Sequence, residues 1–186
     1  MKYIIVVLSI LFMFIVVWCT SDGSTDSSQT INFSNYYMNI STDYKLSNKN
    51  KLLDERISDK VLVIYNKSLS SLDFSDNIII SQDSLTPRAS LEDYVQAAIG
   101  GISYTRWKYI SLSFDTSTLS CQWNNIPTII NTFSLYRTPL NGVPETLYFV
   151  QYYVHNNGEI IIISASTNQE ENVSSLKTTL KTLACI

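Results

Sequence analysis

Residues 146–164 read TLYFVQYYVHNNGEIIIIS, and this stretch decides the fold. Two runs rich in β-branched and aromatic residues, 146–155 and 159–164, flank the sequence Asn156-Asn157-Gly158. Such runs favour buried strands. Asn and Gly accept the positive φ that a tight hairpin requires. The stretch therefore predicts an antiparallel hairpin around which the rest of the chain is arranged.

Further strands are predicted before this hairpin. Short β-branched or aromatic runs bounded by turn residues favour strands over helices. An opening strand, or a pair of short strands around Ser34-Asn35, is expected over residues 31–40, followed by a polar loop at 45–51. The remaining strands are predicted at residues 61–65, 77–81, 107–114, 120–123 and 128–136.

Two helices are predicted from capping residues and apolar periodicity. Ser90 can cap the free amides of the first helix, with Asp93 at its third position, and Gly100-Gly101 should end or loosen that helix. Thr167-Asn168-Gln169-Glu170 has the pattern of a capping box for a closing helix. The apolar stripe of the closing helix predicts that it lies flat on a sheet; the stripe consists of Val173, Leu176, Leu180 and Leu183.

Four segments together resemble the PsbP-like α/β/α sandwich family. They are NYYMNI at 35–40, the segment from NIII at 77–80 to SLEDY at 90–94, IPT at 126–128, and the hairpin around Asn157-Gly158. The family includes the extrinsic photosystem II subunit, a nuclear Ran-binding import factor and bacterial DcrB-like lipoproteins. The resemblance covers about residues 31–185. It implies an α+β fold, a largely antiparallel β-sheet flanked by helices, whose members mostly bind partners through their surfaces.

The chain begins with the pattern of a secretory signal peptide. Lys2 is followed by a run from 4 to 18 that is apolar except for Ser9. As a helix this run spans about 22 Å, which is short of the roughly 30 Å hydrocarbon core. We therefore expect residues 1–18 to be a signal peptide that directs export of the chain. Residues 31–186 are expected to fold as a single domain.

Cys19 is the candidate lipidation site. Val16-Val17-Trp18-Cys19 resembles the lipobox of bacterial lipoproteins, and the Ser/Thr-rich segment 19–30 is expected to be a flexible tether. Two alternatives are cleavage after a small residue such as Ser21, which would give a secreted protein, and an uncleaved signal anchor. All three interpretations place the folded part outside the cytoplasm.

Charge and cysteine content limit the possible partners. The formal net charge is −3, and the chain has no basic cluster, which excludes a nucleic-acid partner. If Cys19 carries a lipid, the other two of the three cysteines, Cys121 and Cys185, form an even pair suited to a disulfide in an oxidising compartment. This disulfide would attach the end of the closing helix to the sheet, and by closing a loop it would stabilise the fold by about 3–4 kcal/mol. Two buried free thiols are the alternative.

The chain lacks the convergent reactive groups that catalysis needs. Its one histidine, His155, lies beside the predicted turn, and neither Cys121 nor Cys185 has a flanking histidine or basic cluster. With no Cys-x-x-Cys, no zinc site is expected. Asp73, Asp76 and Asp83 could form a weak calcium site, but their spacing matches no EF-hand, which favours solvated loop acids. No catalytic residue, cofactor or metal is predicted.

Aromatic residues are abundant: twelve Tyr, seven Phe and three Trp. The simpler explanation of this abundance is that the aromatic side chains pack on the faces of strands. The alternative is that some of them form an exposed patch that binds a partner. The candidate patch consists of Tyr104, Arg106, Trp107 and Tyr109.

The sequence thus predicts a non-enzymatic extracytoplasmic lipoprotein, anchored to the membrane of a bacterial cell envelope, that binds or helps to assemble a protein partner. It would be secreted if Cys19 carries no lipid. The alternative is a membrane-tethered carrier of a small apolar or glycan ligand.

Overall fold

The structure, a computed structural model, describes residues 27–47, 59–67, 76–86, 88–103, 108–122, 124–137 and 144–186. Residues 1–18, Cys19 and the tether up to residue 26 lie outside the described residues. No helix of the described residues is both long and apolar enough to cross a membrane.

The described elements are ten strands and two helices. In chain order they are β1 (Ser28–Phe33), β2 (Tyr36–Ser41), β3 (Tyr44–Ser47), β4 (Val61–Lys67), β5 (Asn77–Ser84), α1 (Leu91–Ser103), β6 (Lys108–Ser120), β7 (Asn125–Arg137), β8 (Glu145–Asn156), β9 (Glu159–Thr167), α2 (Asn172–Leu180) and β10 (Ala184–Cys185). Seven strands form one antiparallel sheet in the order β3-β4-β5-β9-β8-β7-β6, and a smaller sheet has the order β1-β2-β10.

The hairpin of β8 and β9 lies inside the large sheet, as predicted. Asn156 pairs with Glu159, so Asn157 and Gly158 form a two-residue loop with φ angles of 52° and 84°. β5 and β7 pair with the outer sides of the hairpin. Both strands are therefore central, and their backbone groups are satisfied by neighbours on each side.

Both faces of the large sheet are covered. On one face, the first turns of α1 pack through Leu91 and Val95 against Tyr153. On the other face, α2 and the small sheet enclose the larger core, where Leu176 and Met38 are buried. The predicted antiparallel sheet flanked by helices is confirmed. The second outer layer differs from a purely helical one, because the small sheet shares it with α2.

The predicted start of α1 is confirmed, and the predicted stop at Gly100-Gly101 is wrong. The Asp93 N–H donates to Ser90 Oγ at 3.0 Å, and the Ser90 N–H donates to the Asp93 carboxylate at 3.0 Å. These reciprocal bonds form a capping box. The helix does not stop at Gly100-Gly101 but continues to Ser103. The free energy lost by placing two glycines in the helix is therefore smaller than the free energy gained by extending it to Ser103.

The closing helix is shorter than predicted at both ends. β9 extends through Thr167, so α2 begins only at Asn172. The Thr167 hydroxyl instead accepts from the Gln169 N–H at 3.1 Å. After Leu180 the chain turns into β10. Cys185 therefore lies in a strand that pairs with β2, and not at the end of a helix.

Three strand predictions need correction at their boundaries. The opening pair of strands around Ser34 is confirmed, with Ser34 at φ 49°. However, β1 begins at Ser28, within the segment predicted to be a tether. The strand predicted at 107–114 is longer than predicted, since β6 runs from Lys108 to Ser120, and of the strand predicted at 120–123 only Ser120 belongs to it. β3 occupies the start of the polar loop predicted at 45–51.

Two glycines give opposite predictions for an added methyl group. A Cβ at Gly158 or at Gly100 would meet no atom within 4 Å, so only backbone conformation decides the outcome. Gly158→Ala forces a positive φ on alanine and should lower the free energy of unfolding by about 1 kcal/mol or more. Gly100→Ala lies within a helix and should raise it by about 1 kcal/mol. Urea denaturation measures both, and a shift of the same sign in the two variants would contradict the assignment.

Candidate protein-binding site

β6 forms one margin of the large sheet. In the described part of the chain it pairs only with β7. Its side chains from Phe114 to Thr118 are all exposed, although they alternate between the two faces of the sheet. Neither face is covered at these positions. Elsewhere the strand does contact the covering layers: it lies against α1 and β10, and Leu119 is buried in the larger core.

Three large apolar side chains are exposed along this edge, and we call them the β6 margin. Ile110 is 45% exposed, Tyr136 of β7 is 44% exposed, and Phe114 is 36% exposed. Ile110 pairs with Ser134, which places it on the same face as Tyr136, the face covered elsewhere by α2. The register shifts between Ser111 and Ser113, so Phe114 faces the opposite side. The margin thus presents apolar groups on both faces of one edge.

The shortness of α2 explains why the margin is open. Nine residues of helix extend about 14 Å, whereas the thirteen residues of β6 extend about 43 Å. α2 packs on β2, β8 and β9. Lys177 reaches across from α2 to β6: its Nζ donates to Ser113 Oγ at 2.7 Å and lies 3.5 Å from Asp115 Oδ2. This contact ties β6 to α2 but leaves Asp115 61% exposed.

The predicted aromatic patch falls mostly outside the described residues. Tyr104, Arg106 and Trp107 are not described, and Tyr109 is the second residue of β6, opposite Leu135. The patch stays a prediction. The β6 margin was missed in the sequence because residues 113–118, SFDTST, contain only one apolar side chain. Runs of hydroxyl residues with isolated apolar ones are the available signal for a strand exposed on both faces.

Cys121 and Cys185 are joined in a disulfide. Their Cα atoms are 5.5 Å apart, in the ordinary range for this bond, across a sequence separation of 64. Cys121 follows directly after β6, and Cys185 belongs to β10. The bond therefore connects the far end of β6 to the small sheet. It holds two sheets together, whereas the predicted pairing was between a helix and a sheet.

The residues considered for chemistry do not come together. His155 is half-buried at the end of β8, opposite Ile160. Asp76 and Asp83 lie at opposite ends of β5, about 23 Å apart along the strand, and Asp73 is outside the described residues. Among the described residues, no three His, Cys, Asp or Glu side chains are grouped so as to hold a metal ion. Asp76 and Asp83 are therefore too far apart to bind the same calcium ion.

Among the described residues, Asp76 is the one buried carboxyl, with 6% of its surface exposed. Burial raises the pKa of Asp76 above its ordinary value of 3.8. Hydrogen bonds from Thr167 and Asn172 and the charge of Lys67 oppose this shift without cancelling it. Burial, and then the charge of Asp76, also raises the pKa of the neighbouring Tyr44. The group lies between the start of β5 and the start of α2 and serves the packing of this end of the sheet.

Asp76→Asn should change the pH dependence of stability. Because the pKa of Asp76 is higher in the folded state, its protonation stabilises the fold at low pH, and this contribution is lost as pH rises through the folded-state pKa. The variant stays neutral, so its melting temperature relative to the wild type should rise between pH 3 and pH 7. Thermal melts across this range measure the difference. Asp59→Asn, at an exposed position, is the control, and an Asp76→Asn difference that stays constant with pH would contradict the prediction.

No protein-family model matches the chain, and no curated protein matches it. Solved structures do. A Pseudomonas aeruginosa protein of unknown function has a TM-score of 0.51 at 11% identity, covering 83% of this chain and 94% of that one. The Ran-binding protein Mog1p of Saccharomyces cerevisiae has a TM-score of 0.53 at 9% identity, covering 87% and 96%. Cyanobacterial PsbP (CyanoP) of Synechocystis sp. PCC 6803 has a TM-score of 0.53 at 12% identity, covering 89% and 98%.

These similarities show the fold alone, because the identities are so low. The fold of this chain is like those of PsbP and Mog1. The resemblance stated from the sequence is therefore confirmed for the fold, and lipidation at Cys19 stays a prediction.

Proposed function

We propose that this chain is a non-enzymatic protein-binding module, exported and held at the outer side of a membrane by a lipid on Cys19. The observation that carries the binding function is the β6 margin. It combines exposed apolar side chains with the backbone groups of a sheet edge, which pair with no second strand in the described part of the chain. A protein partner can remove the apolar side chains from water and pair a strand with the backbone groups.

The composition of the margin suits a protein interface. Tyr and Phe are enriched in the cores of such interfaces, and charged residues are depleted there. Around Ile110, Phe114 and Tyr136 the exposed side chains of β6 are mainly serine and threonine hydroxyls. An apolar centre with a hydroxyl rim allows the centre to be desolvated without burying an unpaired charge.

The fold comparison supports a protein partner, since one structure of similar fold is a Ran-binding protein. Export is supported by the leader and by the pairing of Cys121 with Cys185, because disulfides persist in oxidising compartments. The alternative, a carrier of a small apolar or glycan ligand, stays a prediction.

Photo-crosslinking tests the margin as a docking surface. A photoreactive amino acid placed at Tyr136 of the full chain, expressed in a bacterial envelope, should give covalent protein adducts on illumination. The same group at Leu46, which is 68% exposed on the opposite edge strand β3, is the matched control. Adducts should be several-fold more abundant from position 136. Equal yields from the two positions would remove the margin from the proposal.

Metabolic labelling tests the anchor. The full chain should incorporate labelled palmitate and fractionate with membranes in a bacterial host, and Cys19→Ser should lose the label because it lacks the acceptor thiol. Cys121→Ser is the control, since its thiol is engaged in the disulfide. Equal labelling of the wild type and Cys19→Ser would refute the lipid anchor while leaving the binding surface untouched.

A further inference from the structure

The edge of β6 lacks most of the devices that keep sheet edges apart. It is thirteen residues long, contains no proline, and carries only two charged residues, Lys108 and Asp115. Its one irregularity lies between Ser111 and Ser113, and the register from Ser113 to Ser120 is regular. The opposite edge strand, β3, has only four residues. A long, regular and weakly charged edge is a template for another strand.

The backbone of β6 specifies what can bind. Along a strand, successive residues direct their N–H and C=O groups to alternate sides. In the described part of the chain, β7 is the only strand that pairs with β6. Every second residue of β6 therefore directs a donor and an acceptor away from the sheet. Only an extended strand meets such a row of groups in register.

We propose that β6 pairs antiparallel with β6 of a second copy of this chain, about a two-fold axis perpendicular to the sheet. The two seven-stranded sheets then become one continuous sheet. This inference rests on the proposed function of the β6 margin as a docking surface, and it names the partner.

The two-fold symmetry restricts the register of the two β6 strands. Residues directly opposite one another in antiparallel strands lie on the same face. The two-fold axis must therefore pass midway between one residue of β6 and the same residue of the second copy. With the axis at Thr116, Phe114 lies opposite the partner's Thr118, and Asp115 lies opposite the partner's Ser117. No like charges are directly opposed, and threonine meets threonine, a favourable cross-strand pair. The hydroxyl-rich sequence of β6 is thus complementary to itself.

The size of the edge predicts a reversible dimer. With the axis at Thr116, the nine residues 112–120 of each copy are opposed, so a paired edge about 30 Å long and about 10 Å high covers roughly 300 Å² per copy, less than half of a standard interface. Phe114 adds apolar area on one face of this pairing, whereas Ile110 and Tyr136 lie beyond the opposed residues. Anchoring in one membrane would raise the effective concentration of the copies and favour pairing.

Cysteine crosslinking of the full chain in membranes tests this geometry. Opposed residues have Cβ atoms about 5 Å apart, so Thr116→Cys should form a disulfide-linked dimer under copper–phenanthroline oxidation, seen on non-reducing gels. Leu46→Cys is the exposed control on β3. The unmodified chain corrects for any crosslinking through Cys19. The dimer from Thr116→Cys should exceed both controls several-fold.

A mixed experiment checks the register. Phe114→Cys and Thr118→Cys chains, expressed together with distinguishable tags, should crosslink to each other more than either does to itself. Failure of both crosslinks, in chains that keep the melting temperature of the wild type, would overturn the dimer. If adducts at Tyr136 persist in that case, the margin still binds a protein, but a different one. Repeating Thr116→Cys in the Cys19→Ser background separates pairing from anchoring.

Discussion

The hairpin of β8 and β9 must be shielded on both faces, and the rest of the structure depends on this constraint. Every side chain from Phe149 to Val154 is buried, and so is every one from Ile160 to Thr167. Gln151 in this region finds its partners inside the sheet: its amide donates to Ser164 Oγ at 3.1 Å and accepts from the Tyr153 hydroxyl at 2.6 Å. Two covering layers are therefore obligatory, and α1 supplies one of them.

The covering layers are smaller than the large sheet, and the part that they leave exposed is the β6 margin. α2 and the small sheet protect the centre, while β6 extends beyond them. Its position is nevertheless secured at two points, by Lys177 along its length and by the disulfide at its end. An exposed edge that is held firmly is suited to binding, because a rigid strand loses little conformational entropy when a partner adds to it.

Local interactions explain which elements were predictable. Asn157-Gly158 and the Ser90–Asp93 capping box act within a few residues, so their geometry follows from the sequence alone. The pattern at 167–170 has the same form as a capping box, yet Thr167 pairs with Tyr148 in the sheet. Pairing with a neighbouring strand prevailed over a local cap there. The helix α1 continues through Gly100-Gly101 for a related reason: helix propensity is a weak preference, and the tertiary context overrides it.

The sequence by itself determined that the chain forms an antiparallel sheet around one hairpin, with an amphipathic helix near its C-terminus, because hydrophobic periodicity and turn residues act locally. Only the tertiary structure decided which strand became an edge. Phe114 and Phe133 are the same residue type in adjacent strands, but Phe133 is fully buried and Phe114 is exposed. The reason is strand order: β7 has neighbours on both sides and β6 has one among the described strands. Strand order results from contacts distant in sequence, which no local pattern encodes.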